Sequence, residues 1–150
     1  MPGPDERRRA GIRDVALRLL GRREHSALEL STKLRTRGGS GDDVEAVIAR
    51  LAEAGLQSDE RFAESFARAR AERGYGPRRI VAELVQRGVE RHAAAHAIEA
   101  LEVDFCAIAE DFCRRRYRDA APPEDVRERA RRSQALYRRG FEAEHVRGLV

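Results

Sequence analysis

The stretch "LVQRGV" at residues 84–89 decides the fold, because every letter in it suits the end of an α-helix. Gly88 stands just past the last helical residues, where a residue without a Cβ atom adopts the left-handed conformation at little steric cost. Leu84 and Val89 occupy the two positions that touch when a helix ends in a Schellman motif. Arg87 places a cation at the negative end of the helix dipole. The stretch therefore predicts a helix that ends at Gly88.

The same helix end occurs three times in the chain. A leucine followed four residues later by a glycine recurs as "LRTRG" at 34–38 and as "LYRRG" at 136–140. The spacing between the three copies is nearly equal, which indicates an internal repeat. The predicted helix-ending residues are Gly38, Gly88 and Gly140.

Apolar spacing predicts helices throughout the chain and no strand. The first two units match position by position, because Ile80 corresponds to Leu30 and Leu84 to Leu34. The sequence therefore predicts an all-α fold of three tandem three-helix repeats that form an elongated, slightly curved array. The predicted boundaries are a basic N-terminal arm at 1–14, repeat 1 at 15–57, repeat 2 at 58–102 and repeat 3 at 103–150.

Several residues are predicted to begin these helices. Ser26 opens a capping box, "SALE", whose glutamate can reach back to the cap. Either Asp42 or Asp43 is predicted to cap the third helix, and Asp59 the fourth. Pro77 suits the first turn of the fifth helix.

The composition is that of a helical, water-soluble chain. Of the 150 residues, 37% are charged and 5% are aromatic, and Ala, Leu, Glu and Arg dominate. No apolar run is long enough to cross a bilayer, and the start "MPGPDERRRAG" lacks the apolar core of a signal peptide. We therefore expect a cytoplasmic protein that does not contact membranes and is a monomer.

No group of residues indicates catalysis. "GGSG" at 38–41 lacks the lysine and the preceding strand of a phosphate-binding loop, and no Ser, His and Asp have a spacing that would bring them together. His92 and His96 are four residues apart but have no third metal ligand at a suitable spacing. Cys106 and Cys113, about 10 Å apart on one helix, are too distant for a disulfide and are interpreted as small core residues. The sequence predicts no enzyme activity, cofactor or metal.

The basic residues are the best candidates for binding. The net charge is +4, and Lys33 is the only lysine. Arginine is suited to phosphates and carboxylates because its planar guanidinium forms two parallel hydrogen bonds. The alternative is that these side chains only cover solvated helix faces and pair with nearby glutamates. The candidate binding residues are Arg70, Arg73, Arg78, Arg79, Arg114, Arg115, Arg116, Arg131, Arg132, Arg138 and Arg139.

Arg78 and Arg79 are singled out because they fall in the first turn of a predicted helix. Positive charge there is unfavourable against the helix dipole. A surface with no role in binding would have little reason to carry that charge, so the two arginines are predicted to contact a negatively charged partner.

The chain resembles the RecX family of bacterial modulators of the RecA recombinase. The resemblance is densest in "GLQSDERFAESFARARAERGYGPRRIVAELVQRGV" at 55–89, and "ALYRRGF" at 135–141 is also characteristic. The positions that carry it in the central unit are Asp59, Phe62, Ala63, Gly74, Gly76, Ile80, Leu84 and Gly88.

This resemblance implies a non-enzymatic protein that binds along RecA filaments on single-stranded DNA. It also implies inhibition of strand exchange and of ATP hydrolysis. Weak direct binding to DNA is a further partner interaction that the arginines permit. Charge reversal at Arg78 and Arg79 is then predicted to leave the fold intact, and even slightly more stable, while it weakens this inhibition. Two alternatives remain open: a stand-alone, sequence-independent nucleic-acid-binding protein that uses the same arginines, and an interaction scaffold without a role on DNA.

Overall fold

The computed structural model describes residues 1–150 as nine α-helices without a strand, which confirms the predicted all-α fold. Three successive groups of three helices form unit 1 (α1–α3), unit 2 (α4–α6) and unit 3 (α7–α9), so the tandem arrangement is confirmed as well. The helices are α1 (Pro4–Arg22), α2 (Ala27–Thr36), α3 (Gly41–Glu53), α4 (Asp59–Glu72), α5 (Pro77–Gln86), α6 (Arg91–Leu101), α7 (Phe105–Tyr117), α8 (Val126–Arg139) and α9 (Ala143–Val146).

The N-terminal segment differs from the arm predicted at residues 1–14. Helix α1 begins at Pro4, which suits the first helical turn because proline lacks an N–H group that the helix would leave unpaired. Two of the segment's arginines bind one carboxylate of α3: Arg8 Nε lies 3.3 Å and Arg9 Nε 2.9 Å from the oxygens of Asp43. The basic segment is therefore part of unit 1.

Two predicted aspartate caps are wrong, because a serine one position or more upstream caps each helix. The Ser40 hydroxyl accepts from the N–H of Asp43, and the Ser58 hydroxyl accepts from the N–H of Arg61. A serine oxygen satisfies the unpaired N–H groups of a first turn as well as a carboxylate does. The aspartates are thereby released for contacts with other elements. Asp59 accepts from the backbone N–H of Ala27, which links units 2 and 1 at 2.8 Å.

The repeated glycines end their helices with the same geometry. Gly88 has φ +87°, its N–H donates to Val85 O at 3.0 Å, and the N–H of Val89 donates to Leu84 O at 3.0 Å. This is the Schellman pattern of hydrogen bonds. Equivalent pairs of bonds close α2 at Gly38 and α8 at Gly140.

Replacing Gly88 with valine is expected to destabilise the protein by about 1–3 kcal/mol from backbone strain alone, because valine strongly disfavours positive φ. A Cβ atom at this position would also lie 2.6 Å from Leu28 Cβ, so the total effect is expected to be larger. Gly38→Val is the matched control, since φ there is +95° and no atom lies within 4 Å of its Cβ. Chemical denaturation of both variants measures the difference. Equal losses of stability would contradict a steric role for Leu28.

The apolar core is divided into two clusters, not three. Unit 1 has its own cluster of eight buried residues, whereas units 2 and 3 share one of sixteen. Unit 3 is too poor in apolar side chains to close a core alone. Helix α9 has four residues and buries none fully, and α8 buries only Arg132 and Leu136. The apolar residues of unit 3 therefore pack against unit 2.

Polar contacts join unit 1 to unit 2. The Ser26 hydroxyl donates to Arg87 O at 2.6 Å, and the Arg87 guanidinium lies 2.7 Å from Glu29. Burial by itself would raise the pKa of Glu29, but hydrogen bonds from Arg23 and from the Ser26 N–H, together with the charges of Arg23 and Arg87, hold it below its usual value. The start of α2 thus rests on the end of α5 through hydrogen bonds and an ion pair.

Candidate interaction surface at the junction of units 2 and 3

The start of α5 rests on the end of α8, as the start of α2 rests on the end of α5, but here the contacts are made by backbone N–H groups. The N–H of Gly76 donates to Arg139 O at 2.8 Å, and the N–H of Arg78 donates to Gly140 O at 3.1 Å. The positive end of one helix dipole therefore meets the negative end of another. Each helix supplies partners for backbone groups that the other cannot satisfy within its own turns.

Two glycines make this close approach possible. A Cβ atom at Gly76 would lie 2.4 Å from the carbonyl carbon of Gly140, and one at Gly140 would lie 2.4 Å from Arg79 Cβ. Gly140 also has φ +100°. Any side chain at either position would push the two helix ends apart. The "GYGP" and "RRGF" stretches are therefore the two halves of one joint.

Arg78 and Arg79 are held by the end of α8. Arg78 Nη2 donates to the carbonyl oxygen of Tyr137, and its guanidinium carbon lies 3.8 Å from the centre of the Tyr137 ring. Arg79 Nη1 donates to Arg138 O at 3.4 Å. Cations are favourable beside the last carbonyls of a helix.

The dipole of α5 therefore no longer supports a binding role at Arg78 and Arg79, which stays a prediction. The negative C-terminal end of α8 lies beside the start of α5. It offsets the unfavourable interaction between the two arginines and the dipole of α5. The positions of the two arginines are explained by the joint between units. They do not require a negatively charged partner outside the chain.

Tyr75 is the centre of a cluster of arginines at this joint. The guanidinium carbons of Arg139, Arg79 and Arg70 lie 3.9, 4.5 and 5.9 Å from the centre of its ring. Such cation–π contacts are each worth about 0.5–2 kcal/mol, depending on burial. Arg70 is neutralised by Glu83 at 3.2 Å. These three candidates are thus parts of the fold.

Arg139 is the most constrained member of the cluster. Its Nε donates to Gly74 O at 3.2 Å and its Nη2 to Arg73 O at 2.6 Å, and it also stacks on Phe112 at 4.6 Å. Burial is the main cause of a lowered pKa for Arg139, and the nearby charges of Arg79 and Arg115 lower it further. Of the three arginines around Tyr75, only Arg70 pairs with a carboxylate.

Arg132 is not on a solvated face, contrary to its prediction as a surface ligand. The residue is only 6% exposed, and its Nη1 donates to Ala121 O at 2.7 Å and to Leu149 O at 3.2 Å. Its guanidinium carbon lies 4.4 Å from the centre of the Tyr117 ring. These contacts tie α8 to the preceding loop and to the last residues of the chain.

Six of the candidate arginines have exposed side chains that are free of the joint: Arg73, Arg114, Arg115, Arg116, Arg131 and Arg138. Arg114 pairs with Glu110, and Arg115 pairs with Asp111 at 2.9 Å. The structure groups five of the six, all except Arg114, in two places. The Arg115 guanidinium lies near Gly74, which follows Arg73 in the chain, while Arg116, Arg131 and Arg138 line a cleft between α7 and α8.

Sequence reasoning missed the aromatic residues that hold the arginines, above all Tyr75 and Tyr137. The only available signal was the position of Tyr75 between two glycines and within five residues of Arg70 and Arg79. Of the two cysteines, Cys113 is buried as expected, but Cys106 is exposed, so its interpretation as a core residue is wrong. No group of three or more His, Cys, Asp and Glu side chains could hold a metal ion. No helix is long and apolar enough to cross a membrane.

Comparison with known protein families accounts for nearly the whole chain. Three family models match in order: the first three-helix domain of RecX at residues 13–51, the second at 58–98 and the third at 102–150. The chain belongs to the RecX family. The three RecX domains correspond to units 1, 2 and 3, and the joint between Gly76 and Gly140 is the contact between the second and third.

Relatives within the RecX family are similar over most of their length. "Regulatory protein RecX" of Halorhodospira halophila is 49% identical over 93% of this chain and 86% of its own, and that of Stenotrophomonas maltophilia (strain K279a) is 44% identical over 88% and 80%. The crystal structure of RecX from Lactobacillus salivarius superimposes with a TM-score of 0.73 at 23% identity, covering 95% of this chain and 94% of that one. At that identity the likeness concerns the RecX fold alone.

Proposed function

We propose that this protein is a non-enzymatic modulator of RecA that binds along RecA filaments on single-stranded DNA and limits strand exchange and ATP hydrolysis. The observation that carries the proposal is the match of three successive RecX domains to this chain between residues 13 and 150. Its relatives are named as regulatory proteins. A cytoplasmic location, where a recombinase works on the chromosome, and a monomeric chain belong to the same proposal.

The way the units join supports binding along a filament. Helices α2, α5 and α8 have 10, 10 and 14 residues, and each meets the next end to end. At a rise of 1.5 Å per residue they trace a path of about 50 Å. A chain of that length reaches more than one protomer of a helical filament, and a chain bound in the filament groove leaves less room for incoming duplex DNA.

The surface that we assign to RecA contains Arg115, whose guanidinium lies near Gly74, and Arg73, which precedes Gly74 in the chain. Arg139 holds this backbone through its hydrogen bonds to Arg73 O and Gly74 O, so the Arg73 side chain projects from a fixed support. Exposed arginines attract an acidic protein surface and accelerate encounter, and such a partner would compete with Asp111 for Arg115. Because both side chains are exposed, they are available to a partner without unfolding the joint.

Charge reversal of both residues, Arg73→Glu with Arg115→Glu, is expected to raise the concentration needed for half-inhibition of RecA strand exchange by about tenfold or more. Each reversed pair at an interface loses on the order of 1 kcal/mol or more, and about 1.4 kcal/mol corresponds to a factor of ten. The melting temperature is expected to change little, because exposed ion pairs such as Arg115–Asp111 contribute only about 0–1 kcal/mol.

The matched control is Arg18→Glu with Arg91→Glu, which changes the net charge equally at two exposed arginines that form no ion pair. If the control weakens inhibition as much as the test variant, the effect is one of net charge. Undiminished inhibition by the folded test variant would move the contact surface elsewhere. If the wild-type protein alters neither strand exchange nor ATP hydrolysis, the proposed function itself is refuted.

Stand-alone binding to nucleic acid is the second candidate, and the exposed Arg116, Arg131 and Arg138 favour it because none of them pairs with a carboxylate. A protein that acts through phosphates alone loses affinity steeply as the salt concentration rises. A filament modulator instead acts at a stoichiometry set by RecA. Titration of strand exchange at 50 and 200 mM salt, with direct DNA binding measured in parallel, separates the two functions.

A further inference from the structure

The geometry points to a phosphate-binding site in the cleft between the end of α7 and the outer face of α8. The cleft has a volume of about 520 Å³. The charged and aromatic residues of its lining are Arg116, Tyr117, Glu128, Arg131, Arg132 and Arg138. The proposed site is independent of any action on RecA, because it depends on these residues alone.

Arg132 places an uncompensated charge within the wall of this cleft. The guanidinium is buried and forms no ion pair, and its Nε is the one buried side-chain nitrogen or oxygen of the protein without a hydrogen-bond partner. Burial raises the pKa of the neighbouring Cys113 thiol, so that residue stays neutral and supplies no negative charge. Two carbonyl oxygens and the Tyr117 ring stabilise the cation only in part. A buried charge without a counterion is costly, and an anion nearby would offset that cost.

The rim of the cleft adds three more cations. Arg131 and Arg138 are seven residues apart, two turns of α8, and therefore project from the same side of the helix. Arg116 faces them from the end of α7, where its guanidinium carbon lies 5.3 Å from the Tyr117 ring. Glu128 is the only carboxylate in the lining. Four guanidinium groups thus share one carboxylate.

The chemistry of the lining favours a phosphate group over other anions. Guanidinium groups bind phosphate oxygens through paired, charge-assisted hydrogen bonds, and several can act on one doubly charged group. Only a few lining residues are apolar, so the cleft offers little to a hydrophobic ligand body. The group could be free, as phosphate or pyrophosphate, or part of a nucleic-acid strand.

The test uses the full chain and three probes: inorganic phosphate, pyrophosphate and an oligodeoxythymidylate. Each is titrated by calorimetry at constant ionic strength, with chloride replacing the probe in the reference. We expect saturable binding with one site for at least one probe. Arg116→Gln with Arg131→Gln is expected to weaken it by about tenfold or more, because two charge-assisted contacts are lost. Arg127→Gln, on the same helix but outside the cleft, is expected to bind like the wild type.

The outcomes separate the sources of the phosphate group. Binding of pyrophosphate or phosphate assigns the site to free anions, and binding of the oligonucleotide alone assigns it to a nucleic-acid backbone. The proposal is overturned if no probe saturates, or if the double variant binds as tightly as the wild type. Thermal melting of the variants verifies that their fold is intact, and Arg132 is left unchanged because its loss would disturb the fold. The assay contains no RecA, so its failure does not bear on the proposed function.

Discussion

Gly140→Ala is expected to destabilise the protein by about 3 kcal/mol or more. A non-glycine residue at φ +100° is strained by about 1–2 kcal/mol. The added Cβ would also lie 2.4 Å from Arg79 Cβ and 2.5 Å from Arg79 N, and such overpacking costs about 1–3 kcal/mol. Because these neighbours include backbone, the joint between units 2 and 3 must open to relieve the contact.

Two further glycines separate the strain from the steric contact. Gly38 has φ +95° with no atom within 4 Å of a Cβ, so Gly38→Ala is expected to show only the strain. Gly76 has φ −86° but its Cβ would meet the Gly140 backbone at 2.4 Å, so Gly76→Ala is expected to show only the contact. Urea denaturation gives the three free energies. Equal losses for Gly38→Ala and Gly140→Ala would show that the joint imposes no steric constraint.

Arg78→Glu with Arg79→Glu is expected to destabilise the protein by about 2 kcal/mol, the opposite of the slight gain predicted from the sequence. The substitutions remove two cation–π contacts, each worth about 0.5–1 kcal/mol at partly exposed sites, and place carboxylates beside the last carbonyls of α8. Their favourable position at the start of α5 recovers only a few tenths of a kcal/mol. For a chain of this size the melting temperature falls by about 4–8 °C.

Two controls identify the cause of this loss. Arg78→Gln with Arg79→Gln removes the contacts without reversing the charge and is expected to destabilise less. Arg18→Glu with Arg91→Glu makes the same change of net charge away from the joint and is expected to leave the melting temperature nearly unchanged. If the double glutamate variant melts at or above the wild-type temperature, the unfavourable interaction of the arginines with the dipole of α5 outweighs their contacts with α8.

The same comparison shows why loss of RecA inhibition in the Arg78 and Arg79 variant would not identify a binding surface. The variant weakens the joint that positions unit 3, so inhibition can fall for structural reasons. Arg73 and Arg115 avoid this ambiguity because their guanidinium groups are exposed and donate to no carbonyl of the joint. Functional variants of this protein are therefore best made at those two residues.

Helix boundaries were accessible from the sequence because their causes are local. Gly38, Gly88 and Gly140 each end a helix within five residues of the leucine that pairs with the following N–H. The N-cap residues of the helices were harder to predict from the sequence. Ser40 and Ser58 compete with neighbouring aspartates of equal capping strength, and contacts from other elements decide between them. Asp43 binds α1 and Asp59 binds the start of α2, which no local pattern reveals.

The sequence by itself determined the number of helices, their grouping in threes and the family to which the chain belongs, since these follow from periodicity and from residues close together in the chain. Only the tertiary structure decided which arginines are free. Arg78, Arg79, Arg132 and Arg139 look alike in the sequence to Arg73 and Arg131, yet carbonyl oxygens up to 66 residues away hold the first four. A guanidinium group is satisfied by any acceptors and aromatic rings that reach it, and packing between units, not sequence distance, brings those acceptors within reach.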